Sequence, residues 1–471
     1  MTGDPHAGFP PARPPGLPRS ARALVWAFFG LQFLSLVRQV FTRWFGPEAN
    51  TVGFFANTSS IVVCALLLFA VRRVDRPGWF SGLPAWFAPW WWIVLGTVAG
   101  GLGFGVLGQG SQVKFAALDA VPYFFILVAA VVGSKPTAFR YTRHVLFWTL
   151  LAAVAVNVYA ITDVSALAAQ AVAGDRVGVD SLAYETQAAL AMWPLLLLLA
   201  DGMPRWRAAV VFAAVVLFGA LQVLFQKRLG SAVVLLVLAL YLWQSWRHRA
   251  AEPGPWGARP DGNRRVLAGV LAVAAVLVML FGRGLFLEQA RSLGDRLTGA
   301  SEAHYTQGFF SIFTLENERV QVVFDCFRSF GVRDWIAGRG MGGAFEWTGF
   351  DQNLLNTDRA PEIVARFFLP DHGYFGRREF EIGLFMPLLK GGLLLWLLVF
   401  APVLGVLLAP RHAANADANY SASYFTLLYL MLFLFLGGGF ILSDAFSVVI
   451  FGLTLGCCLR LPPRRPMAPR P

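Results

Sequence analysis

The chain has 471 residues, 57% of them hydrophobic and only 14% charged, with a formal net charge of +12. A soluble domain carries about 25% charged residues, so a soluble globular protein is excluded. The positive charge does not point to nucleic acid either. Basic residues stand mainly in short loops between apolar runs, the pattern of a membrane protein whose cationic loops face the cytoplasm.

Taken in chain order, residues 1–22 form a Pro- and Arg-rich tail without the apolar core of a cleavable signal peptide. It is expected to be a disordered cytoplasmic tail. Apolar runs then follow near 23–42, 52–71, 86–107, 116–134, 145–162, 185–201, 208–225, 231–246 and 266–282, and again near 391–409, 421–439 and 441–459. About 20 apolar residues cross the hydrocarbon core as a helix, and a helix satisfies its own backbone where lipid cannot. Alternating ten-residue strands are absent from the sequence, so a barrel is not expected. The expected fold is an all-α polytopic membrane protein with about 12 transmembrane helices.

Twelve spans would place both termini on one side. The loops holding Arg72, Arg73 and Arg76, then Lys135, Arg140 and Arg143, then Arg205 and Arg207, then Arg247, Arg249, Arg259, Arg264 and Arg265, fall on that same side. The two tails add Arg13, Arg19 and Arg22, and Arg460, Arg464 and Arg465. By the charge rule this side is the cytoplasm, which gives a multi-pass bacterial inner-membrane protein with both termini cytoplasmic.

Between spans 9 and 10 lies a large polar loop, residues 283–390, expected in the periplasm. Loops of such length without a purpose are uncommon. Within it Asn317–Phe330 predicts a helix, with Val320, Val323, Phe324 and Phe327 at helical spacing. Gly338–Gly343 predicts a tight turn. Tyr374–Leu389 predicts an amphipathic helix leading back into spans 10–12 (391–459), after which 460–471 form a second cytoplasmic tail.

Four places carry candidate chemistry. Lys227 and Arg228 stand in a short outer loop, where they oppose the orientation rule. Either they snorkel to lipid phosphates or they bind an anion. Arg319 opens the predicted loop helix, where a surface ion pair with Glu316 or Glu318 is the alternative. Arg339 lies inside the Gly-x-Gly-rich turn, which is neither a Rossmann nor a P-loop pattern. His372 precedes the return to the membrane and titrates near neutrality, so it can give or take a proton there. Arg377, Arg378 and Tyr374 follow it, and Tyr374 and Trp347 could stack on sugar rings or simply anchor at the membrane edge.

Cys326 is the one cysteine of the large loop; Cys64, Cys457 and Cys458 fall in spans. No His/Cys/Asp cluster has metal-ligand spacing, and no nucleotide-binding motif or nucleophile elbow is present. No metal and no cofactor is expected. Chemistry at the outer face then needs a pre-activated donor. A lipid-diphosphate sugar fits, and arginine suits its diphosphate through bidentate geometry.

In order, the chain shows an arginine in a short outer loop, a large outer loop with an early arginine, a glycine-rich turn, and a histidine followed by an aromatic and an apolar re-entry. This order resembles the O-antigen ligase and O-antigen polymerase superfamily of bacterial membrane glycosyltransferases. The motifs cover roughly residues 208–409, and the span pattern covers the whole chain. Two departures stand out. Gly373 follows His372 where the family often has asparagine, and Lys227-Arg228-Leu229-Gly230 replaces a more usual Ser-Arg-Gly/Ala.

The resemblance implies metal-independent, inverting transfer of glycan from undecaprenyl diphosphate to a lipid or glycan acceptor at the periplasmic face. It implies Arg228, Arg319 and His372 as catalytic residues; beside them, Lys227, Arg339, Arg377, Arg378 and Tyr374 are candidates for substrate contacts. Membrane lipids, and no nucleic acid, complete the expected partners. A polysaccharide repeat-unit polymerase is the first expectation. A ligase transferring glycan to lipid A core or to protein is the second. A lipid-glycan flippase or exporter is the alternative from another class, though it would want ionisable residues along its spans.

Overall fold

The computed structural model describes residues 16–36, 49–162, 192–200, 203–224, 318–346, 368–369, 374–377, 382–408, 418–436 and 445–460, together with 239, 268–270 and 442. Most of these residues are helical. The helices are α1 (Arg19–Leu36), α2 (Ala49–Val71), α3 (Phe87–Gly103), α4 (Val113–Ser134), α5 (Pro136–Thr162), α6 (Met192–Leu198) and α7 (Arg205–Leu224). After the first part of the large loop come α8 (Glu318–Arg328) and α9 (Val332–Ala337), then α10 (Met386–Leu408), α11 (Ala418–Leu436) and α12 (Ala445–Leu459).

Helices stand where apolar runs predict them, because each run closes its backbone bonds within itself. Three are long and apolar enough to cross a membrane: Phe87–Gly108, Phe115–Ser134 and Gly383–Leu408. Shorter apolar helices lie at Phe55–Val71, Asn419–Phe435 and Phe446–Leu459. Their length and composition mark the chain as a membrane protein. The expected runs near 231–246 and 266–282 lie almost wholly outside the described residues.

The core is centred on α4 and α12. A Cβ on Gly452 would meet the Ile126 carbonyl, and one on Gly456 would fall on the Ala130 carbonyl. The two backbones therefore touch, and small residues at such seams gain van der Waals contact where lipid offers no hydrophobic drive. Indole donors tie further helices. Trp90 Nε1 donates to the Leu398 carbonyl at 2.8 Å, joining α3 to α10, and Trp91 Nε1 donates to the Leu127 carbonyl at 3.1 Å, joining α3 to α4.

The two ends of the bundle differ. At one end Arg22 stands over the Tyr141 ring, Arg207 stands over Phe147, and Arg143 donates to Asn419 Oδ1 at 2.6 Å. The opposite end of α4 receives the folded part of the large loop.

The loop corrects one expectation. Tyr374–Leu389 is not a continuous helix. Tyr374–Arg377 is a strand, β3, and a 3-10 turn at Gly383–Phe385 leads into α10, which starts at Met386. β3 is the centre of a small antiparallel sheet, ordered β1 (Phe345–Glu346), β3, β2 (Phe368–Leu369). Phe345 pairs with Arg377, and Leu369 pairs with Tyr374. Aromatic and branched residues favour strands when partners are at hand, and both partners come from elsewhere in the chain. Among the described residues, the fold is therefore mostly helical, with one small sheet.

Candidate functional site

Two features of the bundle prepare the seat. α3 ends in a π-helical turn, Phe104–Gly108, a local widening frequent at functional sites. α10 breaks at Gly391 and Gly392, the latter at φ 63°. A Cβ at Gly392 would fall on the Ile336 carbonyl group, so only glycine lets the end of α9 approach α10 this closely.

Between these features lies the glycine turn that the sequence predicts. Gly338, Gly340 and Gly342 have φ of 69°, 80° and 83°. The turn is buried, and its peptide groups find partners in three helices. Arg339 N–H donates to the Leu389 carbonyl at 2.8 Å and Met341 N–H to the Gly101 carbonyl at 3.0 Å. Gly342 N–H donates to Asp119 Oδ2 at 2.8 Å. Lys390 Nζ donates to the Gly343 carbonyl at 3.0 Å and forms an ion pair with Asp119 Oδ2 at 2.5 Å. Gly105 lies beneath the turn, where a Cβ would fall on the Met341 carbonyl.

α8 packs its apolar face over this seat. Val322, Val323 and Cys326 are buried, and Phe327 meets Phe330, Trp335 and Phe385 edge-on or tilted. Burial pushes the Cys326 thiol up to about 12, against the pull of Arg339 and Lys390. α8 also packs against β1. The helix that opens near Arg319 and the strand that begins at Tyr374 are thus joined through β1 to the seated turn.

The expected site residues fare differently. Arg228, Lys227, His372, Arg378 and Trp347 lie outside the described residues. Arg319 is in the first turn of α8. Tyr374 and Arg377 are at the two ends of β3. Arg339 is described together with its side-chain partners. Its guanidinium donates to the Ala344 carbonyl at 3.0 Å, to the Ser329 carbonyl at 2.9 Å and to Ser329 Oγ at 2.8 Å. Nε lies 3.7 Å from Asp334 Oδ2, and the group stands over the Phe330 ring. Most of its five donors are already committed within the protein, so it braces the turn.

Asp119 and Lys390 did not emerge as site candidates from the sequence. Their signal was available: each is an ionisable residue at or near an apolar span, and such residues are expensive there unless they serve a purpose. Arg333 also escaped notice. It is exposed on α9, with its guanidinium 4.3 Å from the centre of the Phe104 ring. Among the described residues, no group of three or more His, Cys, Asp or Glu side chains is arranged to hold a metal ion.

No family model matches the chain, and no curated protein or solved structure is significantly similar to it.

Proposed function

We propose that the chain is a glycosyltransferase acting at the outer face of the membrane, a polysaccharide repeat-unit polymerase fed by glycan on undecaprenyl diphosphate. One observation carries the reading. The helix holding Arg319, the glycine turn, and the strand that follows His372 in sequence form one folded unit on the ends of α3, α4 and α10. These are segments that the family resemblance marks as functional, and they come from distant parts of the loop.

In this reading Arg228 and Arg319 hold the diphosphate of the donor and stabilise the charge that develops as it leaves. Arginine suits this task because its planar fork binds phosphate bidentately. His372 accepts the proton of the acceptor hydroxyl as its oxygen attacks the anomeric carbon, and the C–O bond to the diphosphate breaks with inversion. A positioned general base contributes typically about 10²–10⁴-fold.

The test is the glycan profile of a deletion strain complemented with wild type or His372→Ala. Single repeats in place of polymer, with the variant present in the membrane, support a polymerase with His372 at its centre. Long lipid-linked chains that never reach an acceptor would replace polymerase by ligase. Wild-type polymer from His372→Ala would remove the catalytic assignment.

A further inference from the structure

Asp119 stands near the start of α4, and Lys390 stands just before the break in α10. Lys390 has no exposed surface, and the Asp119 side chain is 9% exposed. A buried ion pair is a poor source of stability, because removing two charges from water costs as much as their attraction returns, and apolar residues often serve as well. The pair therefore calls for another explanation.

Each partner makes a second bond, and both bonds go to the same loop. Asp119 accepts the N–H of Gly342, and Lys390 donates to the carbonyl of Gly343. The anion meets a backbone donor and the cation meets a backbone acceptor one residue on. The approach needs bare backbone: a Cβ on Gly342 would lie 2.9 Å from Ser111 Cβ and 3.1 Å from the Ala116 nitrogen. An ion pair serving only to neutralise itself would have no need of this polarity.

We propose that Asp119 and Lys390 are positioning residues. They form a polarised socket between α4 and α10 that recognises the Gly342 amide and the Gly343 carbonyl, and so seats the unit of α8, α9 and β1 on the bundle. The consequence for glycan transfer rests on the function proposed above; the seating does not.

The experiment uses the full chain in native membranes with the charge-reversed pair Asp119→Lys/Lys390→Asp. The reversal keeps the net charge and the ion pair, but sets an ammonium against the Gly342 N–H and a carboxylate against the Gly343 carbonyl. Maleimide labelling of Cys326, located by peptide mass spectrometry, reads the seating, because that thiol is buried beside Lys390 and reacts only when the unit opens. The glycan profile reads the reaction. The socket predicts labelling at least about tenfold faster than wild type and loss of polymer. Cys326 protected as in wild type would overturn the proposal, and fast labelling with polymer intact would overturn its consequence for glycan transfer. If the reversed pair does not accumulate, the apolar pair Asp119→Leu/Lys390→Met takes its place with the same expected and opposing results. A wild-type chain that makes no polymer would remove the glycosyltransferase reading, and labelling alone would then decide the socket.

Discussion

The two ends of α4 both use a buried lysine to grip a loop, yet they solve different problems. Just past the C-terminus of α4, Lys135 donates to the carbonyls of Arg76 and Gly78 at 3.0 and 2.9 Å, and to Ser81 Oγ. Asp75 in the same loop accepts the Thr137 N–H at 3.0 Å and so caps the start of α5. This lysine closes the connection between α2 and α3, which neighbour each other in the chain. At the other end, Lys390 meets a carboxylate on α4 and a carbonyl in the large loop, joining segments far apart in sequence. A lysine among carbonyls stabilises a loop locally. A lysine paired with an acid, both bonded to one turn, fixes how a distant unit docks.

That contrast can be broken in stages. Lys390→Ala should have the largest effect, because it leaves the Asp119 carboxylate without its counter-charge. Loss of about 3–5 kcal/mol is expected, seen as a lower unfolding midpoint in detergent and as poor accumulation. Gly105→Ala should follow, since its methyl enters the space of the Met341 carbonyl. Overpacking of this kind costs about 1–3 kcal/mol, and here it should also raise Cys326 labelling. An unchanged labelling rate would mean that the turn does not rest on the π-helical segment.

Lys135→Met should cost a similar amount, about 1–3 kcal/mol from carbonyls left without a donor, but it should have the smallest effect on the seating and leave Cys326 protected. Its pH signature differs too. Burial lowers the native Lys135 below the ordinary lysine value, with Asp75 opposing the shift. Between the lowered value and the ordinary one, the unfolded chain holds the extra proton, so stability rises with pH across that window. Lys135→Met should flatten this rise; an equal slope in both proteins would contradict the assigned shift.

The sequence made the apolar helices legible, because each run is long enough to bury its own peptide groups. It also made the glycine turn legible, since only left-handed backbone asks for glycine at alternate positions, and α8 fell within its predicted bounds. β3 was not legible. Tyr374–Arg377 carries aromatic residues that suit either a strand or an amphipathic helix, and Phe345 and Phe368, which decide the matter by pairing, lie elsewhere in the chain. The bracing contacts of Arg339 were hidden for a related reason. A cation among glycines looks made for an anion, whereas its acceptors, the carbonyls of Ser329 and Ala344, leave no trace in residue type. Asp119 and Lys390 were readable one at a time as charges near apolar spans, but their meeting depends on how α4 and α10 pack.

The break in α10 has a consequence of depth. From Leu393 to Leu408 the helix rises about 22 Å at 1.5 Å per residue, less than the ~30 Å thickness of the hydrocarbon core. α3 gives a similar measure, since Gly101, which accepts from Met341, stands about 21 Å above Phe87. The glycine turn therefore meets α3 and α10 within their apolar lengths, Phe87–Gly108 and Gly383–Leu408, and not beyond their ends. Irregular backbone buried beside apolar helices needs partners for its peptide groups, which is why its amides reach Gly101, Asp119 and Leu389.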